Sequence, residues 1–172
     1  MTTYSENAIA TLIAKDEIRE LALLYCRGVD RQDFALLRDL YTADATDTHG
    51  DTFDGPANEY VDFLEKSLPY LQYSGHHVCN HLISVDGDTG EGEVYALAYH
   101  MIPDRSGGYI EDLIGVRYLD HYRKETDGRW RFAKRLVTYD MRRQTPISSV
   151  QEADARAKDY LQTALFGRGI RK

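Results

Sequence analysis

The hydrophobic period of this chain changes once, near residue 73, and that change constrains the fold more than any other feature. Before it, apolar residues recur at helical spacing, with Ile9, Leu12, Ile18, Leu21, Leu24, Tyr25 and Val29 marking one long amphipathic helix over 4–29. After it, four runs at 74–86, 91–103, 109–125 and 129–142 alternate with a two-residue period. They are separated by "DGDTGE", "DRSGG" and "ETDGR", which carry Gly and Asp where tight turns need them. Helices first and an antiparallel meander second predict an α+β fold, with the helices packed on one face of a curved, mostly antiparallel sheet.

The helical half contains two further elements. "DRQDFALLRDLY" predicts a short second helix, which Asp30 could cap with Asp33 three residues on, in the manner of a capping box. "GPANEYVDFLEKSLPYL" predicts a third, with Pro56 suited to a helix start. Between them "TADATDTHGDTFDG" alternates weakly and reads as one edge strand plus a turn. A last helix is expected over 150–165, followed by a frayed tail, "GRGIRK". With no repeat or internal linker, the 172 residues fit a single domain over 1–172: a core of about 8–145 and a C-terminal helix and tail over 146–172.

Composition excludes several functions. The net charge of −7, without clusters of Lys and Arg, argues against a nucleic-acid partner. No apolar stretch of about 18 residues occurs, and "MTTYSENAIA" lacks a basic region followed by an apolar run. The expectation is a cytoplasmic protein without a membrane partner. Cys26 and Cys79 lack ligand spacing and read as buried thiols. Thirteen tyrosines against five Phe and one Trp suit a half-polar cavity or an interface.

Candidate chemistry concentrates in "SGHHVCNHLISVDGD", residues 74–88. Regular alternation would place His76, Val78, Asn80 and Leu82 on one face, and His77, Cys79, His81 and Ile83 on the other. Two histidines at i and i+4 on a strand lie about 13 Å apart, too far to share an ion. No metal and no other cofactor is therefore expected. The ordinary reading of any one of these histidines is a hydrogen-bonded structural residue. Asp30 is open in the same way, because helix capping alone accounts for it. A carboxylate at the end of the first helix, however, sits near the negative pole of that helix, where a nearby imidazolium would be favourable. An Asp oriented on a His is how a general base is built.

"LYCRGVDRQDFALLRDLY", "DGP" opening a helix, HxxxN on a strand and "VRYLDHYRKETDGRWRFAKRLVTYD" together resemble the SnoaL-like (polyketide cyclase and dehydratase-like) branch of the nuclear-transport-factor-like cone folds, over roughly 8–145. Scytalone dehydratase, hexachlorocyclohexane dehydrochlorinase and the bile acid 7α-dehydratases belong to this circle. The resemblance implies a cone with an Asp–His pair inside, Asp30 with His76 rather than His77. It carries a catalytic tyrosine onto Tyr25 and an arginine of the last strand onto Arg135. It implies a cofactor-independent lyase, or an isomerase or cyclase, acting on a hydrophobic cyclic small molecule. Asn80, Leu82, Leu97 and Tyr95 or Tyr99 would line the cone, and alternation leaves open which parity of 91–103 faces inward. A homo-oligomer, dimer or trimer, is implied as well. The alternative is a non-catalytic binding protein or an accessory β-subunit of a ring-hydroxylating oxygenase.

Overall fold

The computed structural model describes residues 5–149, so the helix expected over 150–165 lies outside the described residues. Helix α1, Glu6–Arg31, opens on Ser5, whose hydroxyl accepts from the Ala8 amide at 3.2 Å. It ends where Gln32 turns left-handed (φ 55°) and returns its N–H to the Gly28 and Val29 carbonyls. Helix α2, Phe34–Asp39, follows at once. The two helices meet closely because residue 28 is glycine: a Cβ there would lie 2.7 Å from Leu37 Cδ2. The chain continues through β1 (Tyr41–His49), β2 (Phe53–Pro56), α3 (Ala57–Ser67) and a 3-10 turn, Leu68–Tyr70.

Four long strands complete the order: β3 (Tyr73–Asp86), β4 (Thr89–Pro103), β5 (Tyr109–Lys124) and β6 (Trp130–Ile147). The sheet runs β2-β1-β6-β5-β4-β3, antiparallel except where β1 pairs parallel with β6. It is curved and does not close, since β2 and β3 are its two edges. The expected α+β order is therefore present. The segment read as one edge strand and a turn is instead a hairpin, and β1 is an inner strand. Its weak alternation hid this because the polar Thr42 and Asp47 sit at buried positions where apolar residues would ordinarily mark an inner strand.

Helix α1 packs chiefly on β3, and α3 on β1 and β2. Ile18, Leu21 and Tyr25 of α1 and Val61 of α3 are buried with Val94, Ala96, Val116, Phe132 and Val137 of the sheet. Burying each larger aliphatic side chain stabilises the fold by roughly 1.5–3 kcal/mol. The inward parity of β4 is thus the even one. Tyr95, Leu97 and Tyr99, expected to line the cone, face outward instead. Small Ala96 and Ala98 fit beneath the helices, while the Tyr99 hydroxyl reaches Glu111 at 2.7 Å and the Tyr95 ring lies under Arg117 on the outer surface.

A bulge in β3 decides which histidines share a face. Val78 pairs with Ala96 and His81 with Val94, so three residue steps on β3 match two on β4. Directly paired residues point the same way, so His76, Val78, His81 and Ile83 all face inward. The regular alternation that separated His76 from His81 fails at Cys79 and Asn80, and both of these are exposed. Cys79 is consequently not the buried thiol the composition suggested, whereas Cys26 is. Leu82 lies outside at 65% exposure, on a shallow groove of about 500 Å³ shared with Ser84, Glu91, Glu93 and Leu119.

Candidate active site

Asp30 occupies the last turn of α1, and Asp33 rather than Asp30 caps α2, accepting from the Leu36 amide at 3.0 Å. Freed from capping, the Asp30 carboxylate turns to β3. Its Oδ1 lies 2.7 Å from His76 Nδ1 and accepts from the Ser74 hydroxyl at 3.0 Å; its Oδ2 accepts from the His76 backbone N–H at 2.9 Å. Burial by itself would raise the Asp30 pKa. The bonds from the His76 ring, the His76 amide and Ser74 outweigh it and hold the carboxyl below its ordinary value. An ionised carboxylate only accepts, so His76 carries its proton on Nδ1 and its Nε2 lone pair is free. Nε2 has no hydrogen-bond partner among the described residues. The His76 side chain is 8% exposed and that of Asp30 21%.

His100 of β4, which the sequence reading did not single out, stands beside this pair with its ring centre 5.5 Å from that of His76. Burial, and then the neighbouring His76, lower its pKa to about 4. It is neutral at pH 7, and its ring nitrogens have no hydrogen-bond partner among the described residues. Beyond it on β5, Asp112 is buried and held by Arg142 Nε and Nη2 at 2.8 Å each. The β3–β4 register pairs His100 with Ser74 beside this pair. The sequence left the parity of β4 open.

A second polar cluster lies deeper. Arg135 of β6 is fully buried and bidentate to Asp120, its register partner on β5, at 2.8 Å for both bonds. Its guanidinium carbon lies 4.1 Å from the ring centres of Tyr25 and Phe132 and 4.4 Å from that of Tyr118. The third nitrogen, Nη1, has no hydrogen-bond partner among the described residues. The guanidinium is thus enclosed by three rings and the Asp120 carboxylate. Tyr25 itself is buried, with its hydroxyl 3.0 Å from that of Tyr60; burial raises its pKa well above the ordinary phenol value.

The structure therefore brings together Asp30 and His76 on one side, and Tyr25 and Arg135 on the other. It leaves Asn80, Leu82, Tyr95 and Tyr99 off the concave face. His77 points outward, as expected. Among the described residues, no group of three or more His, Cys, Asp or Glu side chains is placed to hold a metal ion. No helix among them is long and apolar enough to cross a membrane.

Solved structures share this architecture. A candidate scytalone dehydratase from Novosphingobium aromaticivorans DSM 12444 superposes with a TM-score of 0.69 at 18% identity, over 83% of this chain and 97% of its own. The hexachlorocyclohexane dehydrochlorinase LinA-type3 from Novosphingobium barchaimii LL02 gives 0.68 at 21% identity, over 83% and 96%. A candidate aromatic ring hydroxylase from Novosphingobium aromaticivorans gives 0.64 at 18% identity, over 76% and 91%. At such identities the likeness is one of fold. No curated protein matches the sequence. A SnoaL-like domain is matched over residues 10–136, from the second turn of α1 to the buried centre of β6, and the chain belongs to the SnoaL-like domain family.

Proposed function

We propose that this protein is a cofactor-independent lyase that removes water, or a similar leaving group, from a hydrophobic cyclic small molecule by proton abstraction at His76. The observation that carries this reading is the 2.7 Å bond between Asp30 and His76 Nδ1, with Nε2 left unpartnered. Nε2 takes the proton from an acidified C–H, and Asp30 stabilises the imidazolium that forms. An ion pair at about 4 Å and an effective dielectric of about 20 is worth on the order of 4 kcal/mol. That corresponds to about three powers of ten, within the two to four typical of a positioned base.

His100 contributes by being neutral. An imidazolium there would oppose the charge forming on His76, whereas a neutral ring can bind a polar group of the substrate. Tyr25 donates a hydrogen bond to the departing group, and Arg135 beneath its ring keeps that hydroxyl region electropositive. Isomerisation or cyclisation would use the same base. A non-catalytic binder or an accessory oxygenase subunit would have no need of an oriented base. The outer sheet face, with Leu82, Leu97 and Leu119 exposed, supports a homo-oligomer as the working form.

The test is turnover of a panel of steroids, chlorinated rings and aromatic alcohols, followed by mass spectrometry, with wild type, His76→Ala and Asp30→Asn. A reacting compound should lose at least about 10²-fold in rate with either variant. Undiminished turnover by folded His76→Ala would end the proposal.

A further inference from the structure

Strand β1 carries a second histidine–carboxylate pair. Asp47 and His49, two residues apart, share the inner face of β1. His49 Nδ1 lies 3.1 Å from Asp47 Oδ1, and the Tyr41 hydroxyl donates to Asp47 Oδ2 at 2.7 Å. His49 Nε2 lies 3.3 Å from the Tyr60 hydroxyl, which is 3.0 Å from that of Tyr25. The His49 ring stacks on Tyr60 with centres 4.7 Å apart and meets the edge of Tyr139. Asp47, Tyr60 and Tyr25 are buried, and only His49, with 16% of its side chain exposed, offers a way in for a proton.

We propose that Asp47, His49, Tyr60 and Tyr25 form one hydrogen-bonded relay that reloads Tyr25 with a proton taken up at His49. This deepens the lyase reading and rests on its assignment of Tyr25 to the leaving group. In the resting chain every donor points toward Asp47: Tyr25 O–H to Tyr60, Tyr60 O–H to His49 Nε2, and His49 Nδ1–H to the carboxylate. A proton on Nε2 reverses the order. Nε2–H then donates to Tyr60, Tyr60 to Tyr25, and Tyr25 presents its own O–H outward. In the elimination step Tyr25 gives this proton to the departing oxygen, receives one from Tyr60, and Tyr60 receives one from the His49 imidazolium. The C–O bond electrons leave with the oxygen as water, both tyrosines are phenols again, and His49 is neutral until solvent returns a proton.

Such a relay answers a difficulty of the site. A buried Tyr25 acting alone would be left as a phenolate in a setting that penalises that charge, and its neighbour Tyr60 is no better placed. Moving the deficit to the partly exposed His49 avoids this. Facing His49 are Asp47 on its own strand, Tyr60 on α3 and Tyr139 on β6, while the buried Arg135 is Asp47's register partner on β6. The two histidine pairs stand on β1 and β3, four strand spacings apart, about 19 Å along the sheet and less across its curve.

The experiment uses the full chain with [15N]histidine, following the His49 and His76 ring nitrogens by NMR as pH is lowered. The wild type should hold His49 as the Nδ1–H tautomer before it is protonated. Tyr25→Phe, which removes no direct partner of His49, should move the His49 transition to lower pH by about 0.5–1 unit, the equivalent of one hydrogen bond. The reason is that Tyr60 then has no acceptor for its proton in the reversed chain. The His76 transition should stay in place. An Nε2–H tautomer in the wild type, or a His49 transition unmoved by Tyr25→Phe, would overturn the relay, and the first of these needs no variant to fold. Neither readout uses a substrate or Asp30, so the relay and the His76 base stand or fall separately.

Discussion

Asp30 and Asp33 are three residues apart, and the spacing suggests Asp30 as the helix cap with Asp33 as its capping-box partner. Their partners differ: Asp33 takes the Leu36 amide, while Asp30 takes the His76 ring, the His76 amide and Ser74. Asp33→Ala should therefore cost about 0.5–2 kcal/mol in urea unfolding with turnover nearly intact. Asp30→Asn should remove most turnover and cost stability as well, since it presents an N–H where three donors converge. His76→Ala should cost only about 1 kcal/mol, because Asp30 keeps two other donors; a loss several times larger would mark His76 as structural. The Asp30–His76 contact was legible through the family's motif spacing. His49 and Asp47 were not, although the signal was present: a D-x-H on a strand places both side chains on one face. Arg135 was found by position, but spacing says nothing about the three rings and the carboxylate that enclose it.

At the level of elements, the four long strands and the helix order were legible from period alone, and the parity of β3 was not. The clue lies in its β-branched residues, with Val78 at an even position and Ile83 and Val85 at odd ones, which a single bulge reconciles. Because three steps on β3 match two on β4, removing Cys79 would restore regular pairing and leave both His76 and His81 inside. Removing Leu97 from the unbulged β4 would turn either 94–96 or 98–100 outward. The first deletion should leave a cooperatively folding protein by circular dichroism, and the second should not. A Cys79 deletion that fails to fold would mean that the extra twist of the bulge, not its register, is what the cone requires.

On the scale of the molecule, the exposed leucines of the outer sheet face and the buried charges of the inner face set two different dependences on solution conditions. If Leu97 and Leu119 meet a second copy, Leu97→Glu should lower the mass seen by light scattering while leaving the circular dichroism unchanged; a wild-type monomer at micromolar concentration would remove the oligomer from the account. The inner face governs the response to acid. Burial lowers the pKa of both His81 and His100 to about 4, against about 6.5 in an unfolded chain. His81 faces Tyr122, Asp120, Arg19 and Arg135, and His100 faces His76, Asp112, Asp30 and Arg142. Between those two values the unfolded chain binds protons that the folded chain refuses, so stability rises with pH across that window. It is fully present above about pH 6.5 and is lost progressively as pH falls toward about 4. The lowered pKa of Asp30 acts at more acid pH: its contribution is full above the ordinary carboxylate value and is lost as pH falls from there through the lowered pKa. Urea midpoints should therefore begin to fall near pH 6.5, well before the carboxylates titrate, and His100→Gln should flatten the decline between pH 6.5 and 4. An unchanged slope in that variant would show that His100 is reached by protons in the folded state, and with it the neutrality on which its place beside His76 depends would be lost.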